Sequence, residues 1–180
     1  MKIKKFNFKK VYSTNKTAIK IINNTKLNYG MIVSESQKKG KGQYGRNWIS
    51  FKGNLFVSFF YNIDNINFSI KKLTRINCLL VKKVISRFYK KEIFFKSPND
   101  LLINKKKISG ILQEIIVKDN KKYLVVGIGI NIIKSPNITN YPTTNLLEIV
   151  GKKIDYKIMI NQLKLIFEKN LSKYFKTKAQ

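Results

Sequence analysis

The chain has 180 residues, 43% of them hydrophobic and 12% aromatic, which excludes a disordered polypeptide and suits one well-buried core better than two. No apolar run reaches the roughly 18–20 residues of a membrane-spanning helix, and the basic start MKIKKFNFKK lacks the apolar stretch and cleavage site of a signal peptide. Histidine is absent, which removes the usual general base and zinc ligand, and the formal charge of +28 rests almost wholly on lysine: only Arg46, Arg75 and Arg87 of 37 basic residues are arginine.

The lysines are scattered along the whole chain. Two explanations stand, a coding bias that loads surface positions with Lys and Asn, and selected binding of a polyanion. The scarcity of arginine weighs against sequence-specific base recognition. The one cysteine, Cys78, cannot form an intramolecular disulfide and reads as core filler in a reducing cytoplasm.

In chain order, Ser13-Thr14-Asn15 offers side chains to cap a helix that carries Ala18, Ile21 and Ile22 and runs to about Asn24. YGMIVS at 29–34 predicts a short strand, and NLFVSFFY at 54–61 a buried one. Residues 68–88 space Leu73, Ile76, Leu79, Leu80 and Val84 as an amphipathic helix with a lysine-rich wet face. Ile93-Phe94-Phe95 returns to strand before a Pro98-Asn99-Asp100 turn. From Leu101, apolar runs alternate with polar breaks at 105–107 and 119–122, a meander of antiparallel strands. The end, 156–175, is a closing helix with Ile160, Leu163, Ile166, Phe167 and Leu171 on one face. With no internal repeat or linker, residues 1–180 read as a single α+β domain: a mixed, largely antiparallel sheet with helices packed on one side.

Three stretches carry chemistry. GKGQYGRNW at 40–48 has glycines at 40, 42 and 45 that permit positive φ and close approach; consecutive N–H groups there can form an anion-binding nest beside Lys41 and Arg46. It is no Walker A loop, because Lys41 is followed by Gly42 and not by Ser or Thr. A phosphate cradle and a solvated surface turn both remain open. In KSPNDLLINKKKISGIL, Asp100 stands at a strand start and Lys107 opens the next strand, three positions before Gly110; a solvated lysine turn is the plainer alternative. In VVGIGIN, Gly127 and Gly129 lie on one strand face and open a slot that Asn131 continues. No metal constellation stands out; Mg²⁺ accompanying a nucleotide is the metal the sequence supports.

The ordered set STN, ESQKKGKGQYGRNW, KSPNDLLINKKKISGIL and GIGIN resembles the biotin–protein ligase family over about residues 11–147. The resemblance implies the catalytic-domain fold of that family, akin to class II aminoacyl-tRNA synthetases. It also implies two-step chemistry. Biotin and ATP form biotinyl-5′-AMP, and a lysine in the biotin-carrier domain of a carboxylase, such as acetyl-CoA carboxylase, then opens the anhydride. Carried residue by residue, it puts Ser13, Thr14, Asn15, Gln37 and Gly110 at biotin, with Gly40, Lys41 and Gly42 around its carboxylate. Lys41, Gln43, Arg46, Trp48, Lys107 and Asn131 fall at the nucleotide, Trp48 either stacking near adenine or packing in the core. Lys107, Arg46 and Asp100 are the catalytic candidates: Lys107 as a fixed cation on the α-phosphate, Asp100 to orient or deprotonate the acceptor lysine.

Departures from the family pattern are Gln43 and Lys41 where arginines are frequent, and Ser97 where tryptophan is common. Neither the small C-terminal β-barrel nor the N-terminal DNA-binding domain of some members is expected here. The expected setting is cytoplasmic, with no membrane or specific nucleic-acid partner, as a monomer or weak homodimer. A lipoate or octanoyl ligase of related fold, and a non-catalytic basic nucleic-acid-binding domain, are the alternatives.

Overall fold

In the computed structural model, residues 2–175 are described. A seven-stranded sheet has the order β1-β2-β5-β9-β8-β7-β6. Its strands are β1 (Lys5–Phe8), β2 (Tyr29–Ser34), β5 (Leu55–Asn62), β6 (Phe94–Lys96), β7 (Asp100–Ile103), β8 (Lys106–Lys118) and β9 (Lys121–Ile130). Only β1 and β2 run parallel; every other pair is antiparallel. A separate two-stranded ribbon joins β3 (Gly40–Lys41) to β4 (Asn47–Trp48). The helices are α1 (Thr14–Asn24), α2 (Ile70–Ile85), α3 (Leu146–Val150) and α4 (Tyr156–Phe175).

The sheet's two faces are covered differently. Because side chains alternate along a strand, Met31, Val57, Phe59, Val126 and Ile128 share one face and pack with Leu73, Val81 and Val84 of α2 and Leu163 and Phe167 of α4. The rings of Phe59 and Phe167 stack with centroids 3.9 Å apart. Ile32, Phe60, Tyr123 and Val125 face the other way and pack beneath Ala18 and Ile22 of α1. The α+β class and the mixed sheet are as expected, but the helices are not all on one side. α1 lies alone on the second face, and its short length leaves part of that face uncovered.

Other differences are local. β1 was not anticipated, since its alternating Phe6 and Phe8 sit in a run of lysines. The meander turns are two-residue hairpins at Asn104-Lys105 and Asp119-Asn120, with positive φ at all four positions, so Lys106 and Lys107 belong to β8 and not to a turn. Leu79 is exposed while Cys78 is fully buried. Among the described residues no helix is long and apolar enough to cross a membrane.

Candidate active site

The uncovered part of the second face is where the sheet loses its side chains. Past the N-terminus of α1, the face that carries Tyr123 and Val125 continues through Gly127 and Gly129 of β9, and Gly129 pairs with Gly110 of β8. A cavity of about 540 Å³ lies over this depression. Its walls come from the α1 N-terminus, the β3–β4 ribbon, the 96–100 turn and the 136–143 segment.

Each glycine makes room for a particular side chain. A Cβ on Gly129 would lie 2.4 Å from Cε2 of Trp48, and one on Gly110 would lie 2.8 Å from its Cζ3. The indole therefore lies across both glycines, in the cavity wall and not in the core, and its buried Nε1 has no hydrogen-bond partner. At Gly127 a Cβ would lie 2.4 Å from Oδ1 of Asn15. That oxygen accepts from Ser58 Oγ (2.6 Å), while Asn15 Nδ2 donates to Glu114 Oε2 (2.6 Å). Asn15 thus ties α1, β5 and β8 together at the cavity floor.

Lys107 and Asp100 form the charged centre. Nζ of Lys107 lies 2.7 Å from Asp100 Oδ1, with both side chains largely buried. The other carboxylate oxygen accepts from the Tyr141 hydroxyl. Lys107 Nζ also sits 5.4 Å from the ring centroids of Trp48 and Tyr141, and Lys96 Nζ is 4.6 Å from the Tyr141 ring. Burial, then the hydrogen bond to and charge of Asp100, push the Tyr141 phenol well above its ordinary pKa, against the opposing charge of Arg46. Tyr141 therefore stays a protonated donor.

A β-bulge at Ile108 sets this geometry. Leu101 pairs with Ser109 but Leu102 pairs with Lys107, so one residue of β8 is skipped. The backbone of Lys107 is pinned instead by the 142–144 segment: its N–H donates to Pro142 O and its carbonyl accepts from Thr144 N–H, both at 2.9 Å. That segment is anchored in turn by Asn131, whose Nδ2 donates to Thr144 O (3.1 Å) and whose buried Oδ1 is left without a partner.

Of the candidate residues, Ser13, Thr14, Asn15, Gln37, Lys41, Gly42, Gln43, Arg46, Trp48, Asp100, Lys107, Gly110 and Asn131 all line this one cavity. Gly40 does not. It is buried in the ribbon, where a Cβ would lie 2.5 Å from Trp48 O and 2.9 Å from Gln37 Nε2, so it permits ribbon packing. The capping expectation is also corrected. Ser13 occupies the N-cap but makes no side-chain cap bond, and Gln37 Oε1 instead accepts from the Thr14 N–H at 2.9 Å. Two of the ribbon's amides are already engaged within it. Gly42 N–H donates to Arg46 O (2.7 Å) and Arg46 N–H to Gln43 O (3.1 Å), and only Gly45 of the three glycines has positive φ. The side chains of Lys41 and Arg46 in this ribbon both reach the cavity lining.

Tyr141, Ser58 and Asn54 were not among the functional candidates legible in the sequence. Asn54 Oδ1 accepts from the N–H groups of Ile132, Ile133 and Lys134 (3.0, 3.0 and 3.2 Å), capping the turn that leads into the 136–143 wall. An Asn opening a strand pattern was the one available signal, and it suits any turn equally.

The family model described as the biotin/lipoate A/B protein ligase family matches residues 8–131, and the chain belongs to that family. It is 32% identical over 170 residues to the bifunctional ligase/repressor BirA of Bacillus subtilis (strain 168), covering 90% of this chain and 52% of the relative. The BirA of Escherichia coli (strain K12) is 31% identical over 101 residues, 55% of this chain and 32% of that protein. The chain thus spans about half, or less, of these relatives' length. Among solved structures, a biotin protein ligase from Aquifex aeolicus in complex with biotin and ATP superposes with a TM-score of 0.80 at 30% identity, covering 95% of this chain and 71% of that one. A Leishmania major biotin protein ligase in complex with biotinyl-5-AMP shares the fold, with a TM-score of 0.77 at 23% identity and coverage of 91% and 72%.

Proposed function

We propose that this chain is the catalytic domain of a biotin–protein ligase, which joins biotin to a lysine of a carboxylase's biotin-carrier domain through biotinyl-5′-AMP. The observation that carries the reading is the convergence on one cavity of Lys107, the cationic ribbon and the polar α1 N-terminus, from three separate parts of the sequence. In the first step a carboxylate oxygen of biotin bonds to the α-phosphorus of ATP, and the bond to the leaving pyrophosphate breaks. Two anions must meet, and closely placed cations offset their repulsion and the charge that grows on the phosphorus oxygens. Lys107 is suited to that role because Asp100 and Tyr141 fix where its ammonium points.

In the second step the neutral amine of the acceptor lysine attacks the acyl carbon, AMP leaves and the amine sheds its proton. Asp100 has one oxygen on Lys107 and the other on Tyr141. That occupancy favours orientation over proton abstraction as its contribution. The polar ends of Thr14, Asn15 and Gln37 suit the ureido group of biotin, and the unpartnered Trp48 Nε1 and Asn131 Oδ1 are a donor and an acceptor available to ligand. ATP would enter as its Mg²⁺ complex, an ion that keeps several waters and binds largely through the nucleotide's phosphates. A cytoplasmic setting, where carboxylases and ATP occur together, fits this role.

The test is incubation of the protein with biotin, MgATP and a purified carrier domain. Biotinylation of a single carrier lysine, dependent on ATP and resistant to excess lipoate, supports the reading. Transfer of lipoate in preference to biotin would reassign the substrate within the family.

A further inference from the structure

Beside the main cavity lies a second depression of about 460 Å³, lined among others by Tyr12, Lys16, Lys39, Lys41, Arg46 and Glu114. The two share a wall, because Lys41, Gly42, Gln43 and Arg46 line both. Four cations converge on this groove against one carboxylate, and that carboxylate already accepts from Asn15 Nδ2 at 2.6 Å. None of the four cations forms an ion pair among the described residues. Lys16 and Lys39 are held together by one ring: their ammonium groups lie 4.5 and 5.7 Å from the centroid of Tyr12. Gathering like charges without a counter-charge is unfavourable, so such a groove gains most from a compact polyanion.

We propose that this groove receives the two terminal phosphates of ATP and holds them after cleavage as inorganic pyrophosphate, with Lys16 and Lys39 as the binding cations. The inference rests on the adenylate-forming role proposed above. With the α-phosphate at Lys107, the rest of the chain of phosphates runs past Arg46 and Lys41 towards Lys16 and Lys39. When the α–β bridge breaks, its electron pair leaves with pyrophosphate, whose added negative charge develops beside these cations. Lys16 and Lys39 thereby supply the charge that Gln43, a neutral amide in the ribbon, cannot.

Titration calorimetry with inorganic pyrophosphate as the probe tests this on the unmodified protein and on a Lys16→Gln/Lys39→Gln double variant. Both lysines are exposed, and thermal unfolding checks that the variant folds. The expected result is a rise of about tenfold or more in the pyrophosphate Kd, a shallower salt dependence, and an unchanged biotin Kd; a Lys16→Arg/Lys39→Arg variant should retain affinity. An unchanged pyrophosphate Kd in the Gln variant overturns the proposal, as does a raised KM for carrier domain without loss of pyrophosphate affinity. Because the binding assay needs no turnover, weakened pyrophosphate binding in a protein that never biotinylates a carrier would uphold the groove and sink the ligase reading instead.

Discussion

Lys107 and Gly110 are three residues apart on one strand, yet the lysine Nζ lies 3.3 Å from where a Cβ on Gly110 would stand. In an unbroken strand an odd separation sends side chains to opposite faces. The bulge at Ile108 shifts the parity and turns Lys107 into the cavity, against Asp100. Replacing the lysine tests its role. We expect Lys107→Ala to lower the rate of biotin-dependent pyrophosphate release by about 10²–10³-fold, the scale of losing one well-placed electrostatic donor. Biotin binding without nucleotide should change little by calorimetry. Release at the wild-type rate would remove Lys107 from the chemistry.

Trp48 is the only tryptophan, so its fluorescence reports the cavity alone. A methyl group on Gly129 would overlap the indole at 2.4 Å. Gly129→Ala should therefore displace Trp48, shift its emission towards that of an exposed indole, and weaken nucleotide binding by at least about tenfold. An unchanged spectrum would show that the ring does not rest on β9 in solution.

Asn54, only 1% exposed, holds three consecutive N–H groups of the 132–134 turn. Asn54→Ala leaves these donors without their acceptor, and we expect a loss of about 2 kcal/mol in urea unfolding. Activity should fall further than stability alone explains, because the same turn leads to Tyr141 and to the segment that pins Lys107. A variant as stable and active as the parent would contradict this.

Alkaline stability follows from buried neutral groups. Burial pushes the Cys78 thiol up to about 12 and carries the Tyr61 phenol well above its ordinary value. Each group favours the folded state while neutral. The contribution is complete below the unfolded-state pKa, near 9 for the thiol and 10 for the phenol, and is lost as pH rises from there towards the folded-state value. Urea unfolding at pH 8 and pH 10.5 should show the decline, smaller in Cys78→Ala. An equal decline in both proteins would remove the thiol from the account. Thiol reagents should also modify Cys78 only on unfolding.

Hydrophobic patterning made most elements legible. β2 and α4 fall on their expected spans, and α1 ends at Asn24 as read. Each motif stretch alone left a plainer alternative open; it was their occurrence together and in order that singled out residues which the fold then brings to one cavity. β1 was hidden because its four residues alternate within a lysine-rich run, where an edge strand and a loop look alike.

By itself the sequence determined which residues could serve a site and which elements carry them, since periodicity and side-chain chemistry are local properties. Only the tertiary structure decided how they meet: α1 alone on its face, the bulge that turns Lys107 inward, and the seating of Trp48 over two glycines. It also added Tyr141 and Asn54, whose partners lie 41 residues away for Tyr141 and 78 to 80 for Asn54. Contacts at that separation depend on strand order and register, and no local pattern encodes them.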